Sequence, residues 1–344
     1  MITIRRAFLA LAVLGALLAT APDALAQGRP TVATPASGDF AGLVDIGGHS
    51  LFLECRGTGS PTVVLEAGYR SPATVWTDDL VQPDAPRTMV LPGVASFTRV
   101  CTYERPGTAV VLDGAVQPSR SQDVPMPRRV VDMVADLHAL LHTAGVPGPY
   151  VLVGHSLGGL LVQLYASTYP QDVVGMVLVD ALPDQMRTFM TPAQWQFYVQ
   201  LALAVPDDAL AQVSGYETVS FDDAATGLQQ ARAAAPLRQM PLYVLSKGQP
   251  WDVPGDPASG FSSALFERAW VAGQQDLALL LPDARHSVAT DSGHDIELEQ
   301  PELVIDAMRQ VVDAVRDPRS WYGTPVQLPR AQQGHEGSPS WHTP

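Results

Sequence analysis

Val151-Leu152-Val153-Gly154-His155-Ser156-Leu157-Gly158-Gly159 is an apolar run that passes directly into a Gly-x-Ser-x-Gly pattern, and the apolar stretch Leu160 to Ala166 follows it at once. The reading is strand, one very tight turn, then helix. A serine on such a turn has strained backbone angles, and small residues two before and two after it keep the neighbouring chain from clashing. Its hydroxyl is thereby presented at the carboxyl end of the strand. The same turn leaves the Leu157 N–H at a helix N-terminus, where it can stabilise a developing oxyanion. The plain alternative is a glycine-rich strand-to-helix turn with no chemistry.

Working outward, the chain alternates strand-like and helix-like segments from Leu43 onward. The strand candidates are Ser50 to Cys55, Thr62 to Leu65, Arg99 to Tyr103, Tyr150 to Val153, Val174 to Val179, Leu242 to Ser246 and Ala284 to Val288. Several are short β-branched runs without clean alternation, as expected of strands covered on both faces. Val130, Val134, Leu137, Leu141 and Ala144 recur at helical spacing, as do Leu303, Ala307, Met308, Val311 and Val315 after Pro301, a good first helical residue. Strands alternating with helices predict an α/β fold, a mostly parallel sheet with helices on both faces. Residues 182–240 break the rhythm. They are rich in Ala and Gln, offer no strand, and open a helix at Thr191-Pro192-Ala193-Gln194, a capping box with Pro at the first helical position. About 60 helical residues between two strands is more than a connection requires, so this segment is expected to be a lid.

The ends read differently. Arg5 and Arg6, the uncharged apolar run Ala7 to Thr20 and the A-x-A site Ala24-Leu25-Ala26 make residues 1–26 an expected cleaved export signal, by the twin-arginine or the general route. Residues 27–42 are an expected flexible lead-in and 318–344 an expected loose tail, leaving 43–181 and 241–317 as the core. With 21 Lys+Arg against 35 Asp+Glu, the net charge of −14 repels a phosphate backbone and argues against nucleic acid as a partner. At 46% hydrophobic and 16% charged, the chain has the composition of a globular protein with a large core. No other stretch reaches spanning length, so no membrane anchor is expected after cleavage, and two cysteines can pair outside the cytoplasm.

From the elbow at Ser156 and the element order around it, residues 43–316 resemble the α/β-hydrolase superfamily, specifically its serine hydrolases with a helical cap. The resemblance implies an eight-stranded sheet and a triad in the order nucleophile, acid, histidine. Asp291-Ser292-Gly293-His294-Asp295 stands just before the last helix, where the family carries its catalytic histidine, and makes His294 the base. His138 and His142 lie on a helix, His286 lies in or after a strand, and the His155 side chain is expected to point away from the site. For the acid, Asp180, 24 residues beyond the serine in Val177-Leu178-Val179-Asp180, matches one family position, and Asp252 is a late match to the other.

The resemblance also implies a second oxyanion donor after Thr62 to Gly68, the Tyr69 N–H. Relatives have His-Gly where this chain has Ala67-Gly68. Tyr103-Glu104-Arg105-Pro106-Gly107 resembles a turn that reads Asp-Arg-x-Gly in relatives and is taken as mainly structural. In the family strand order 1-2-4-3-5-6-7-8, Cys55 and Cys101 fall on neighbouring strands, which implies a disulfide. Phe189, Trp195 and Tyr198 of the lid are candidate substrate-binding residues, with packing of the lid on the core as the alternative. The sequence has no H-E-x-x-H, no C-x-x-C and no G-x-G-x-x-G at a strand-helix junction, so neither metal nor cofactor is expected. The expected function is an exported, periplasmic or extracellular esterase acting on a small, neutral, partly apolar ester. The alternatives are lactone, amide or C–C hydrolysis or acyl transfer on the same triad, or a non-catalytic binding protein of the same fold. Nothing in the sequence addresses the oligomeric state.

Overall fold

The computed structural model describes residues 38–112, 114–205 and 210–322. The expected export signal, the lead-in as far as residue 37 and the tail from residue 323 lie outside the described residues. In chain order the strands are β1 (Phe40–Asp45), β2 (Ser50–Arg56), β3 (Thr62–Glu66), β4 (Val100–Tyr103), β5 (Ala109–Leu112), β6 (Ala115–Pro118), β7 (Tyr150–His155), β8 (Val173–Val179), β9 (Leu242–Lys247) and β10 (Arg285–Ala289). The helices are α1 (Thr74–Thr77), α2 (Val90–Ala95), α3 (Val130–Thr143), α4 (Leu157–Thr168), α5 (Pro192–Leu203), α6 (Phe221–Ala234), α7 (Ser263–Ala278), α8 (Ile296–Glu299), α9 (Pro301–Arg316) and α10 (Arg319–Tyr322).

Eight strands form one sheet in the order β1-β2-β4-β3-β7-β8-β9-β10, and β5 with β6 forms a separate hairpin. The β1–β2 and β2–β4 pairs are antiparallel and all the others parallel. Every residue of the central strands β3 and β7 is buried, which is why they carry continuous apolar runs and no alternation. Side chains still alternate in direction. Leu152, Leu178 and Val244 enter a core shared with α3, α4, α7 and the inserted helices, while Val151, Val177 and Leu245 enter one shared with α1, α2 and α9. This is the α/β-hydrolase sheet, and it sets the carboxyl ends of β3, β7, β8 and β10 along one edge.

Three expectations need adjusting. The first strand begins at Phe40, inside the expected lead-in; it is an edge strand with only Val44 buried, so its apolar signal is weak. The β5–β6 hairpin has no counterpart in the sequence reading, because all of its residues but Ala109 are at least partly exposed. The expected tail is ordered as far as Tyr322: Trp321 is buried, donates its indole N–H to the Asp283 carbonyl at 2.9 Å and stacks under Arg285. Among the described residues 182–240 there is no strand. The Thr191 capping box forms at the start of α5, and α6 packs on α3 and α4. Cys55 and Cys101 are register partners across β2 and β4 and form a disulfide.

Candidate active site

Ser156 stands between β7 and α4 with φ 50° and ψ −121°, a left-handed conformation that its neighbours impose. A Cβ on Gly154 would lie 2.4 Å from the Gly158 carbonyl oxygen, and one on Gly158 would lie 2.3 Å from that of Glu66. The glycines therefore serve close approach of backbone to backbone, and the turn cannot relax around larger residues. Leu157 is the first residue of α4, so its amide has no acceptor within the helix. The loop after β3 passes directly beside the serine: a Cβ on Gly68 would meet the Ser156 Cβ at 3.3 Å. That places Tyr69 at the expected edge of the site.

Asp180 follows β8 and is fully buried. Its Oδ2 lies 2.6 Å from His294 Nδ1. The Lys247 amide donates to Oδ1 at 3.1 Å, and the Trp270 indole N–H donates to both oxygens at 3.0 and 3.1 Å. The carboxylate is thus oriented from three sides, and two of its donors come from β9 and α7. Asp252 is exposed, and it is Asp180 that meets His294. The His294 ring sits among Trp251, Trp270 and His155, at centroid distances of 4.7, 5.3 and 4.6 Å.

His155 does not point away. Its ring turns back beneath the histidine loop, with Nε2 3.0 Å from the His294 carbonyl oxygen and Nδ1 3.0 Å from Glu297 Oε1. Burial opposes its charge, but Glu297, with Asp295 and Asp180 beyond it, outweighs burial and pushes the His155 pKa up to about 9. His155 and Glu297 are both buried, so a charged pair lies under the His294 loop. His155, Asp295 and Glu297 also converge closely enough to share a cation.

The turn taken as structural holds the loop after β3. Arg105, buried, donates from Nη1 to the Ala67 carbonyl at 2.9 Å and from Nη2 to the Gly68 carbonyl at 2.5 Å. In a trans peptide the C=O and the following N–H point in opposite directions, so gripping the Gly68 oxygen also aims the Tyr69 amide. Two carboxylates hold Arg105 in turn: Glu66 at 2.5 Å and Glu217 at 2.6 Å. Burial pushes the Glu66 carboxyl up, against the pull of Arg105 and the Tyr103 hydroxyl that donates to it. Glu217 belongs to the inserted segment and also accepts from the Arg70 amide at 2.5 Å. The Arg70 side chain reaches the Leu203 and Ala204 carbonyls at the end of α5. A lone Glu in a helical insertion has no motif around it, so no sequence signal marks Glu217.

A cleft of about 390 Å³ opens beside the loop, lined by Tyr69, Arg70, Ala202, Ala204, Tyr216 and Asp295 among others. Trp195 and Tyr198 are buried, with Trp195 bonded to Asp222 and the Tyr198 ring 5.2 Å from that of Phe266, while Phe189 is 40% exposed. None of the three lines this cleft; Trp195 ties α5 to α6 through Asp222, and Tyr198 packs α5 on Phe266 of α7.

The comparisons agree with the sheet. A family model described as alpha/beta hydrolase fold matches residues 97–239, a span that holds Ser156 and Asp180 and ends before His294. The chain is 24% identical over 319 residues to an "AB hydrolase superfamily protein" of Gibberella zeae, covering 78% of this chain and 92% of that one. It is 31% identical over 185 residues to "Probable transporter efuK" of Hormonema carpetanum, covering 52% of this chain but only 23% of that protein's length. The structure of mouse "Alpha/beta hydrolase domain-containing protein 10" matches with a TM-score of 0.51 at 14% identity, covering 80% of this chain and 99% of that one. Strand order and comparisons together define an α/β-hydrolase-fold protein.

Proposed function

We propose that this protein is an exported serine hydrolase that cleaves a small, neutral, partly apolar carboxylic ester. The observation that carries the reading is the 2.6 Å contact between Asp180 Oδ2 and His294 Nδ1, together with a serine held in a left-handed elbow whose preceding residue, His155, packs its ring on that of His294. Asp180 takes the Nδ1 proton as its hydrogen bond, which leaves the Nε2 lone pair of His294 as the base. Ser156 Oγ attacks the ester carbonyl carbon while its proton passes to Nε2, and the Leu157 and Tyr69 amides hold the resulting oxyanion. Collapse expels the alcohol, which receives that proton. Water, activated by the same nitrogen, then attacks the acyl-enzyme and releases the acid. No metal or cofactor takes part in this scheme. Export is supported by the expected signal in residues 1–26, by the Cys55–Cys101 disulfide, and by the finding that no helix among the described residues is long and apolar enough to cross a membrane.

The test is hydrolysis of short and medium p-nitrophenyl esters by the chain lacking residues 1–26, beside Ser156→Ala. The substituted protein is expected to fall to background. Equal rates would overturn the nucleophile, and folded wild type without activity on any ester, lactone or amide would favour a binding protein.

A further inference from the structure

We propose a divalent transition-metal site at the opposite edge of the sheet, formed by His138, His142 and Asp172. It does not depend on the hydrolase reading. His138 and His142 are one helical turn apart on α3, a spacing that sets two imidazoles on the same face. Asp172 comes from the turn before β8 and reaches the same point. Its Oδ2 lies 3.5 Å from His138 Nδ1 and 3.9 Å from His142 Nε2, and the three donor atoms all fall within 4.8 Å of one another. Ligands on a tetrahedral Zn²⁺, with bonds of about 2.0–2.1 Å, are separated by about 3.4 Å. Asp172 already sits near that spacing from both rings, and the two imidazole nitrogens, no more than 4.8 Å apart, close on an ion by rotation of the exposed His142 side chain.

The surroundings fit a site held in place. The His138 ring stacks on Tyr169 at a centroid distance of 3.7 Å and an interplanar angle of 4°, which fixes the direction of its lone pair. The Tyr165 hydroxyl lies 3.1 Å from His138 Nδ1 and 3.4 Å from Asp172 Oδ2; when the Nδ1 lone pair goes to the ion, the hydroxyl gives up that nitrogen and donates to the carboxylate alone, as metal-site outer partners do. Two imidazoles and one carboxylate suit Zn²⁺, whereas Mg²⁺ and Ca²⁺ prefer oxygen donors. A solvent-open hollow lined by His142, Asp172 and Tyr150 provides entry and room for a water as fourth ligand. Eight steps along the chain, through the seven residues of β8, separate Asp172 from Asp180, roughly 26 Å at 3.3 Å per residue, so the ion does not take part in the chemistry. Its effect is to staple the end of α3 to the start of β8.

The experiment uses the untagged chain lacking residues 1–26, stripped with EDTA and titrated with ZnCl₂ by calorimetry and by thermal melting. One ion per chain with micromolar affinity is expected, with a rise in Tm of roughly 5 °C at saturating ion. His142→Ala removes a side chain that is 60% exposed, so the fold tolerates it; binding should weaken at least about tenfold, and Asp172→Asn should act alike. Ester hydrolysis should be the same with EDTA and with Zn²⁺. Absence of a saturable event would overturn the proposal. So would binding undiminished in both variants, which would place the ion at the His155 cluster or on histidines outside the described residues.

Discussion

Replacing Glu217 by Gln tests whether the inserted segment aims the oxyanion loop. The Glu217 carboxylate accepts from Arg105 Nε at 2.6 Å, Arg105 Nη2 at 3.1 Å and the Arg70 amide at 2.5 Å. A glutamine keeps one acceptor oxygen and turns an NH₂ toward at least one of these donors. Hydrogen bonds to charged groups are worth about 1.5–3 kcal/mol each, and breaking a buried ion pair outright costs about 3–5 kcal/mol. Glu66 still neutralises Arg105 in the variant, so the loss of stability should be about 2–4 kcal/mol, read as a lower urea midpoint. Deleting one oxyanion donor lowers kcat about 10²–10³-fold. Here Arg105 keeps the Gly68 carbonyl but loses its outer support, so the Tyr69 amide is loosened and not removed. kcat on a p-nitrophenyl ester should fall about tenfold, with KM nearly unchanged. The assay is run well below the melting temperature on protein shown by circular dichroism to be folded. A destabilised variant with wild-type kcat would refute the claim that this network aims the amide, and unchanged stability as well would refute the buried pair itself.

Asp180→Asn should lower kcat about 10⁴-fold by holding His294 in the wrong tautomer, while Asp252→Asn, at an exposed position, should leave it near wild type; comparable kinetics for the two would remove Asp180 from the triad. The disulfide spans a sequence separation of 46, so reduction should destabilise the fold by about 4 kcal/mol on chain-entropy grounds, and a melting temperature indifferent to reductant would contradict that. His155, with its pKa pushed up to about 9, remains protonated in the folded state where the unfolded chain, titrating near 6.5, has lost its proton. Its contribution is complete below about pH 6.5 and lost as pH rises through about 9, so stability should decline by roughly 1.4 kcal/mol per pH unit across that window. Glu297→Gln should flatten the decline; an unaltered slope in urea titrations would show that this pair does not cause it.

Local order explains what was legible. The elbow at Ser156 is dictated within nine residues, because an apolar strand, a turn that admits only small flanking residues and an apolar helix are all short-range demands on the backbone. The burial of β3 and β7 on both faces writes itself as β-branched runs, and the Thr191 capping box is a four-residue signal that the structure reproduces. Edge elements left weaker traces, since β1 and the β5–β6 hairpin bury little and so demand little of their sequence. Aromatic residues of the inserted segment could be named as large and apolar, yet composition does not say which way a ring faces. Trp195 and Tyr198 turned into the core, and smaller residues, Ala202 and Ala204, line the cleft.

The chain's order of Ser156, Asp180 and His294 and its strand-helix alternation were thus set by the sequence alone, through local backbone preference and periodic burial. Tertiary structure decided the partners. Asp180 was separated from Asp252 only by the contact that spans 114 positions to His294, and Glu217 reaches Arg105 across 112. His155 was turned toward Glu297 by burial, and Asp172 was brought to His138 and His142 by the return of the chain into β8. Such pairings have no period and no motif, because a buried charge is matched by whichever opposite charge the fold carries to it, however far along the chain that charge lies.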